Sequence, residues 1–157
     1  MQNLNLQALV HSVSQNDEFV IGMRVVRGPD WKWDNKDVVN GEHVEGLIIS
    51  EIDPNKWVEV QWDSGNKLKC RVGAENGQFD IVLSPNADAV KQLTTFGSRV
   101  VRGPDWKYDV QDGDGSGRVI GPVAGEPGWV EVQWDNGNHG KYRIGADQGK
   151  FDIVVED

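Results

Sequence analysis

The sequence predicts an all-β chain built as two small barrels in tandem, with a short linker between them and an N-terminal extension. Three observations predict it. The chain repeats itself in three separated blocks, the blocks carry short runs of alternating apolar residues, and glycine-rich turns divide the runs. The 157 residues include 19 glycines and 7 tryptophans, a density of turns and large apolar side chains that suits small, tightly packed β units.

The repeat sets the organisation. RVVRGPDWK at 24–32 returns unchanged at 99–107, WVEVQWDSGN at 57–66 returns as WVEVQWDNGN at 129–138, and RVGAENGQFDIV at 71–82 returns as RIGADQGKFDIV at 143–154. Without gaps, 22–37 matches 97–112 at 12 of 16 positions, and 57–83 matches 129–155 at 18 of 27. Between these blocks the copies differ in length: nine steps from Asp37 to Gly46, five from Asp112 to Gly117. A surface loop that tolerates insertion accounts for the difference. The expected division is an N-terminal extension at 1–19, repeat 1 at 20–84, a linker at 85–95 and repeat 2 at 96–156. ADAVKQL in the linker is long enough for one or two helical turns, and NLQALVHSV in the extension for a short helix that would need a docking surface.

Within each repeat the strands follow in order. Gly22-Met-Arg-Val-Val-Arg is a β-rich run stopped by Gly28-Pro29-Asp30, a turn signal. Residues 46–52 read as a second strand. Residues 57–62 alternate, placing Val58, Val60 and Trp62 on one face and Trp57, Glu59 and Gln61 on the other. Asp63-Ser-Gly-Asn and Asp135-Asn-Gly-Asn are hairpin turns. Leu68, Cys70 and Val72 share the inward face of the returning strand, as Tyr142 and Ile144 do in repeat 2. A final short strand starts at Phe79 and Phe151. Five short strands in about 60 residues suggest an SH3-like barrel. So small a unit buries only about 60% of its unfolded surface, so Trp62 and Trp134, with Phe79 and Phe151, are expected in the core.

At these blocks the sequence resembles the Mind bomb/HERC repeat, a module of Mind bomb-type and HERC-type E3 ubiquitin ligases. RVVRGPDWKWDNKD, WVEVQWDSGN and RVGAENGQFDIVL carry the likeness in the first copy. RVVRGPDWKYDVQDGDGSGRV, WVEVQWDNGN and YRIGADQGKFDIV carry it in the second. The resemblance implies an SH3-like barrel that recognises proteins or peptides. In Mind bomb-type ligases a pair of such modules engages the cytoplasmic tails of Notch ligands. This chain departs from that arrangement, because its linker holds no Cys or His for the zinc finger that separates the two modules there. It also has Cys70 where repeat 2 has Tyr142 and where the family leads one to expect Tyr.

The candidate peptide-binding residues are Arg27, Trp31, Trp33 and Trp57 in repeat 1, and Arg102, Trp106, Tyr108 and Trp129 in repeat 2. Asp30 and Asp105 accompany them. Most lie on the long loop after the first strand, and arginine with aromatic side chains is the usual composition of an interface anchor. The competing reading is structural: Arg27 or Asp30 pins the loop, and Trp31 caps the barrel.

Other chemistry finds little support. The net charge is −9, with −3 in residues 22–83 and −2 in 97–155, so neither repeat offers the basic patch that phosphate binding needs. Asp112, Asp114 and Ser116 resemble the start of a calcium loop, but Val123 stands where a bidentate Glu is required. The three histidines are scattered, no nucleophile motif occurs, and Cys70 is a lone cysteine on an inward face. The expectation is a non-catalytic chain with no cofactor and no metal, binding a protein or peptide ligand rather than nucleic acid or membrane. The single cysteine and the absence of a signal-like or membrane-length apolar segment point to the cytoplasm. A structural component of a larger assembly is the alternative.

Overall fold

The computed structural model describes residues 19–157, so the helix suggested for 1–18 of the extension lies outside the described residues. In chain order the first repeat supplies β1 (Arg24–Arg27), β2 (Val38–Val39), β3 (Glu42–His43), β4 (Gly46–Ile48), β5 (Trp57–Trp62), β6 (Lys67–Gly73), β7 (Gln78–Phe79) and β8 (Ile81–Leu83). The second supplies β9 (Arg99–Arg102), β10 (Gly117–Pro122), β11 (Trp129–Trp134), β12 (His139–Arg143) and β13 (Ile153–Val155). Two antiparallel sheets result, in the orders β7-β6-β5-β4-β1-β8 and β12-β11-β10-β9-β13. A separate hairpin joins β2 and β3.

The period-two pattern of 57–62 is realised directly. Val58, Val60 and Trp62 are buried, and Val58 lies opposite Cys70 on β6. The hairpin turns after β5 and β11 place only glycine in the left-handed region, Gly65 at φ 99° and Gly137 at φ 96°. Trp62 N–H donates to Asn66 O at 2.8 Å and Trp134 N–H to Asn138 O at 2.7 Å, which closes a three-residue loop in which the last residue must turn left-handed. Trp62 and Trp134 sit at the centres of two apolar cores, one behind each sheet.

One expectation is refined and one corrected. The first concerns the surface loop of repeat 1, which lies at the surface as expected. Its Val38-Val-Asn-Gly-Glu-His folds as the β2–β3 hairpin, with Asn40 at φ 51° and Gly41 at φ 81°, as a two-residue primed turn requires. The second is closure. The strand orders are open, and among the described residues no ladder joins β8 to β6 or β13 to β12. At that seam single bonds take over: Asp80 N–H donates to Arg71 O and Asp152 N–H to Arg143 O, each at 2.9 Å. The ladder is interrupted there because the Asp80 and Asp152 carboxylates accept the Arg71 and Arg143 N–H groups that a ladder would give to backbone carbonyls.

The linker contains one helix, α1 (Ala87–Leu93). Its Val90 enters the first core and its Leu93 the second, so the same helix serves both repeats. The repeats also touch directly. Arg24 of β1 is buried. Its guanidinium donates to Gly145 O at 3.3 Å, pairs with Asp63 and lies 5.9 Å from the centre of the Phe151 ring. Among the described residues no helix is long and apolar enough to cross a membrane.

Candidate functional site

The loops 28–37 and 103–112 are built the same way. Asp30 and Asp105 each bond across the loop, accepting the N–H of Phe79 and of Phe151 at 2.7 Å. Asp34 and Asp109 adopt left-handed backbone, φ 50° and 56°, which aims their carbonyls back into the loop. The Trp31 indole N–H donates to Asp34 O at 2.9 Å, and that of Trp106 to Asp109 O at 2.8 Å. Both indoles then pack edge-on against the core tryptophans, 5.2 Å from Trp62 and 5.5 Å from Trp134.

Arg27 and Arg102 complete the arrangement. Arg27 grips the buried Asp37 with two bonds of 2.9 and 2.5 Å, and Arg102 grips the buried Asp112 with bonds of 2.8 and 2.7 Å. Each guanidinium also covers its neighbouring indole, at 5.1 Å for Trp31 and 5.3 Å for Trp106. The Arg102 pair holds the Asp112 carboxyl below the usual range. Asp112, the first position of the apparent calcium loop, is therefore neutralised by an arginine from within the chain. The loop-pinning role that the sequence left open for Arg27, Asp30 and Trp31 is thus occupied by observed contacts in both repeats.

The structure separates Trp33 from Tyr108, which the sequence treats as equivalents. Tyr108 is half-buried. Its ring packs against the second core, 5.1 Å from Tyr142, and its hydroxyl donates to Asp152 at 3.1 Å. Desolvation, helped by Asp152, pushes that hydroxyl up to about 12. Trp33 is also half-buried, but its indole N–H is enclosed without a hydrogen-bond partner. The Lys32 ammonium lies 5.1 Å from the Trp33 ring and 5.9 Å from the Trp57 ring, and reaches Glu75 at 3.9 Å. Trp33, Lys32 and Trp57 thus form one continuous surface on repeat 1. Trp129, the counterpart of Trp57, instead lines a cleft of about 250 Å³ between the repeats with Ile21, Ile49 and Ile144.

One structural constellation escaped the sequence reading. Arg71 and Asp80 form a buried pair, as do Arg143 and Asp152. Asp80 accepts the backbone N–H of Arg71 at 2.7 Å and its guanidinium at 2.6 Å, while the same guanidinium donates to Asp30 O at 3.0 Å. Asp152 treats Arg143 alike, at 2.7 Å for both bonds, and Arg143 reaches Asp105 O at 3.2 Å. These pairs tie the seam of each sheet to its long loop. The signal was present: the same Arg-to-Asp spacing occurs in 71–80 and 143–152. Cys70 is buried, and desolvation pushes its thiol up to about 12, which keeps it protonated at neutral pH and a poor nucleophile. No cluster of His, Cys, Asp and Glu capable of holding a metal ion occurs among the described residues.

With this geometry in place, comparison with known proteins is informative. The Mib_herc2 domain model matches twice, at residues 22–84 and 97–157. The chain belongs to the Mib_herc2 family. Among relatives of this Mib_herc2 chain, the chicken (Gallus gallus) "E3 ubiquitin-protein ligase MIB2" is 30% identical over 217 residues, covering 85% of this chain and 22% of that protein. The human (Homo sapiens) "E3 ubiquitin-protein ligase HERC2" is 54% identical over 77 residues, covering 48% of this chain and 2% of that protein. The Drosophila melanogaster "E3 ubiquitin-protein ligase Ufd4" is 43% identical over 68 residues, covering 43% of this chain and 2% of that protein. The chain thus spans a small part of each of these relatives, all of which are E3 ubiquitin ligases.

Proposed function

We propose that this Mib_herc2 chain is a non-catalytic module that binds a polypeptide segment and serves substrate recognition or adaptor duty in ubiquitin ligation. It consists on this reading of two SH3-like units, 20–84 and 96–156, acting in the cytoplasm. The observation that carries the proposal is the Trp33–Lys32–Trp57 surface. It pairs two half-buried indoles with a cation. Partly exposed aromatic rings beside a cation are the composition of an interface anchor, and an extended peptide laid across them would cover the remaining exposed ring area. Arg27 and Trp31 support the surface by fixing its loop, and Arg102 and Trp106 fix the matching loop of repeat 2. Tyr108 and Trp129 are less available, one through its bond to Asp152 and the other through its place between the repeats.

The test is binding to peptides tiled from proteins captured by the intact chain. Trp33→Ala combined with Trp57→Ala should weaken the best peptide by about 30-fold or more, the scale of an interface anchor, with near-ultraviolet circular dichroism unchanged. Undiminished binding by a folded double variant rejects the surface. The alternative, a structural component of a larger assembly, draws support from the close docking of the two repeats through Arg24.

A further inference from the structure

The contact between the repeats is not symmetric. Repeat 1 presents a donor face and repeat 2 an acceptor socket. On the donor face lie Arg24, Leu47 and Asp63. The socket is formed by Gly128, the 145–149 turn and Phe151. A Cβ built on Gly145 would lie 3.0 Å from the Arg24 Cδ, one on Gly149 2.7 Å from the Asp63 Cγ, and one on Gly128 2.9 Å from a Leu47 methyl. The two surfaces are therefore in close van der Waals contact.

Each element of this contact has a counterpart in the other repeat, and there the faces are open. The counterparts of Arg24 and Asp63 are Arg99 and Asp135. They also pair, but their side chains are 46% and 58% exposed, against 3% and 15% for Arg24 and Asp63. A Cβ on Gly77, counterpart of Gly149, meets nothing within 4 Å. A recess of about 520 Å³ remains on repeat 1, bounded by Lys56, Gly73, Asn76 and Phe79.

Two substitutions distinguish the open faces from the joined ones. Lys56 stands at the position of Gly128, and its Cδ lies 3.2 Å from a Cβ built on Gly73. That is the place taken in repeat 2 by the Arg24 stem against Gly145. Repeat 1 therefore occupies the Gly73 side of its own socket with its own lysine. On the other open face, Arg118 replaces Leu47. A second copy docking its repeat 2 onto this repeat 1 would bring Arg118 and Arg99 against Lys56, like charges in a desolvating contact.

We propose that Gly128 makes repeat 2 the acceptor, and that Lys56 and Arg118 close the two remaining faces against a second copy of this chain. A head-to-tail contact of this kind otherwise propagates into open arrays. The left-handed backbone itself admits lysine, since Lys56 adopts φ 68° where Gly128 adopts φ 84°, but a Cβ at Gly128 would also meet the Ala146 backbone N at 2.8 Å, so the 146 turn must shift to receive it.

Two measurements on the full chain test this. In the first, Lys56→Gly is combined with Arg118→Leu and mass is followed by sedimentation equilibrium. The expected result is a weight-average mass rising with concentration to at least about twice the wild-type value, which itself stays at the monomer mass. A double variant that remains monomeric, or a wild type that already associates, overturns the proposal. In the second, Gly128→Lys closes the socket from within. The Arg24 guanidinium protons should then exchange with water at least about tenfold faster, with the circular dichroism spectrum retained. Unchanged exchange in that variant overturns the role assigned to Gly128.

Discussion

Replacing Asp152 with alanine should cost repeat 2 most of its stability. Asp152 is fully buried and takes the Arg143 backbone N–H at 2.7 Å, the Arg143 guanidinium at 2.7 and 3.0 Å, and the Tyr108 hydroxyl at 3.1 Å. Removing it leaves the guanidinium, which is almost entirely enclosed, with only the exposed Asp147 carboxylate at 3.4 Å as counter-charge. Breaking one partner of such a pair costs about 3–5 kcal/mol. At about 0.05–0.15 kcal/mol per residue, a unit of about 60 residues holds about 3–9 kcal/mol in all. The variant should therefore show repeat 2 largely unfolded at 37 °C, read by loss of amide protection across β9–β13 in hydrogen exchange. Adding Arg143→Met removes the stranded charge, so the double variant should recover at least about 1 kcal/mol relative to Asp152→Ala. Recovery stays partial because the Asp105 carbonyl and the Arg143 N–H still lack their partners. A single variant that loses less than about 1 kcal/mol in urea denaturation would refute the argument that this pair holds the seam.

Three further outcomes are expected. Tyr142→Phe removes the acceptor of the Trp134 indole N–H, a 2.9 Å bond, and should lower stability by about 1–3 kcal/mol with the urea slope unchanged. Glu45 with Ser84 in repeat 1 and Ser116 with Glu156 in repeat 2 are the same pair written in opposite order, so Ser84→Glu alone should cost about 1–2 kcal/mol and Glu45→Ser added to it should restore most of that loss in a double-mutant cycle. The folded state favours the neutral Tyr108 hydroxyl, raised to about 12 from its ordinary 10, so its contribution is complete below pH 10 and lost as pH rises from 10 through 12. Thermal denaturation across that window should fall less steeply in Tyr108→Phe than in the wild type.

Much of the fold was legible because it rests on local periodicity. The alternation in 57–62 places Val58, Val60 and Trp62 on one face, which is buried, and the repeat carries the same assignment to Val130, Val132 and Trp134. The β2–β3 hairpin was also legible, through Asn40-Gly41, but a difference in length between the copies suggested a loop and masked the turn signal. The roles of Arg27 and Arg102 were less accessible. An arginine beside a tryptophan reads equally as an interface anchor or as a clamp. What decides is whether a buried acid such as Asp37 or Asp112 lies ten residues on and whether the backbone bends to deliver it. The docking of one repeat on the other was not legible at all. It depends on the absence of a side chain at Gly128, and a glycine in a turn carries many meanings in one dimension.

Val90 and Leu93 are one turn apart on α1, and each belongs to a different core. The repeats absorb a change of several residues in the segment after Asp37 or Asp112, where the chain is at the surface. The linker has no such latitude. One inserted residue between Val90 and Leu93 would swing the second anchor by about 100° around the helix axis and withdraw it from its cavity. The phase of a single short helix thus sets the permitted spacing of the duplicated halves, and melting of either half would be felt by the other.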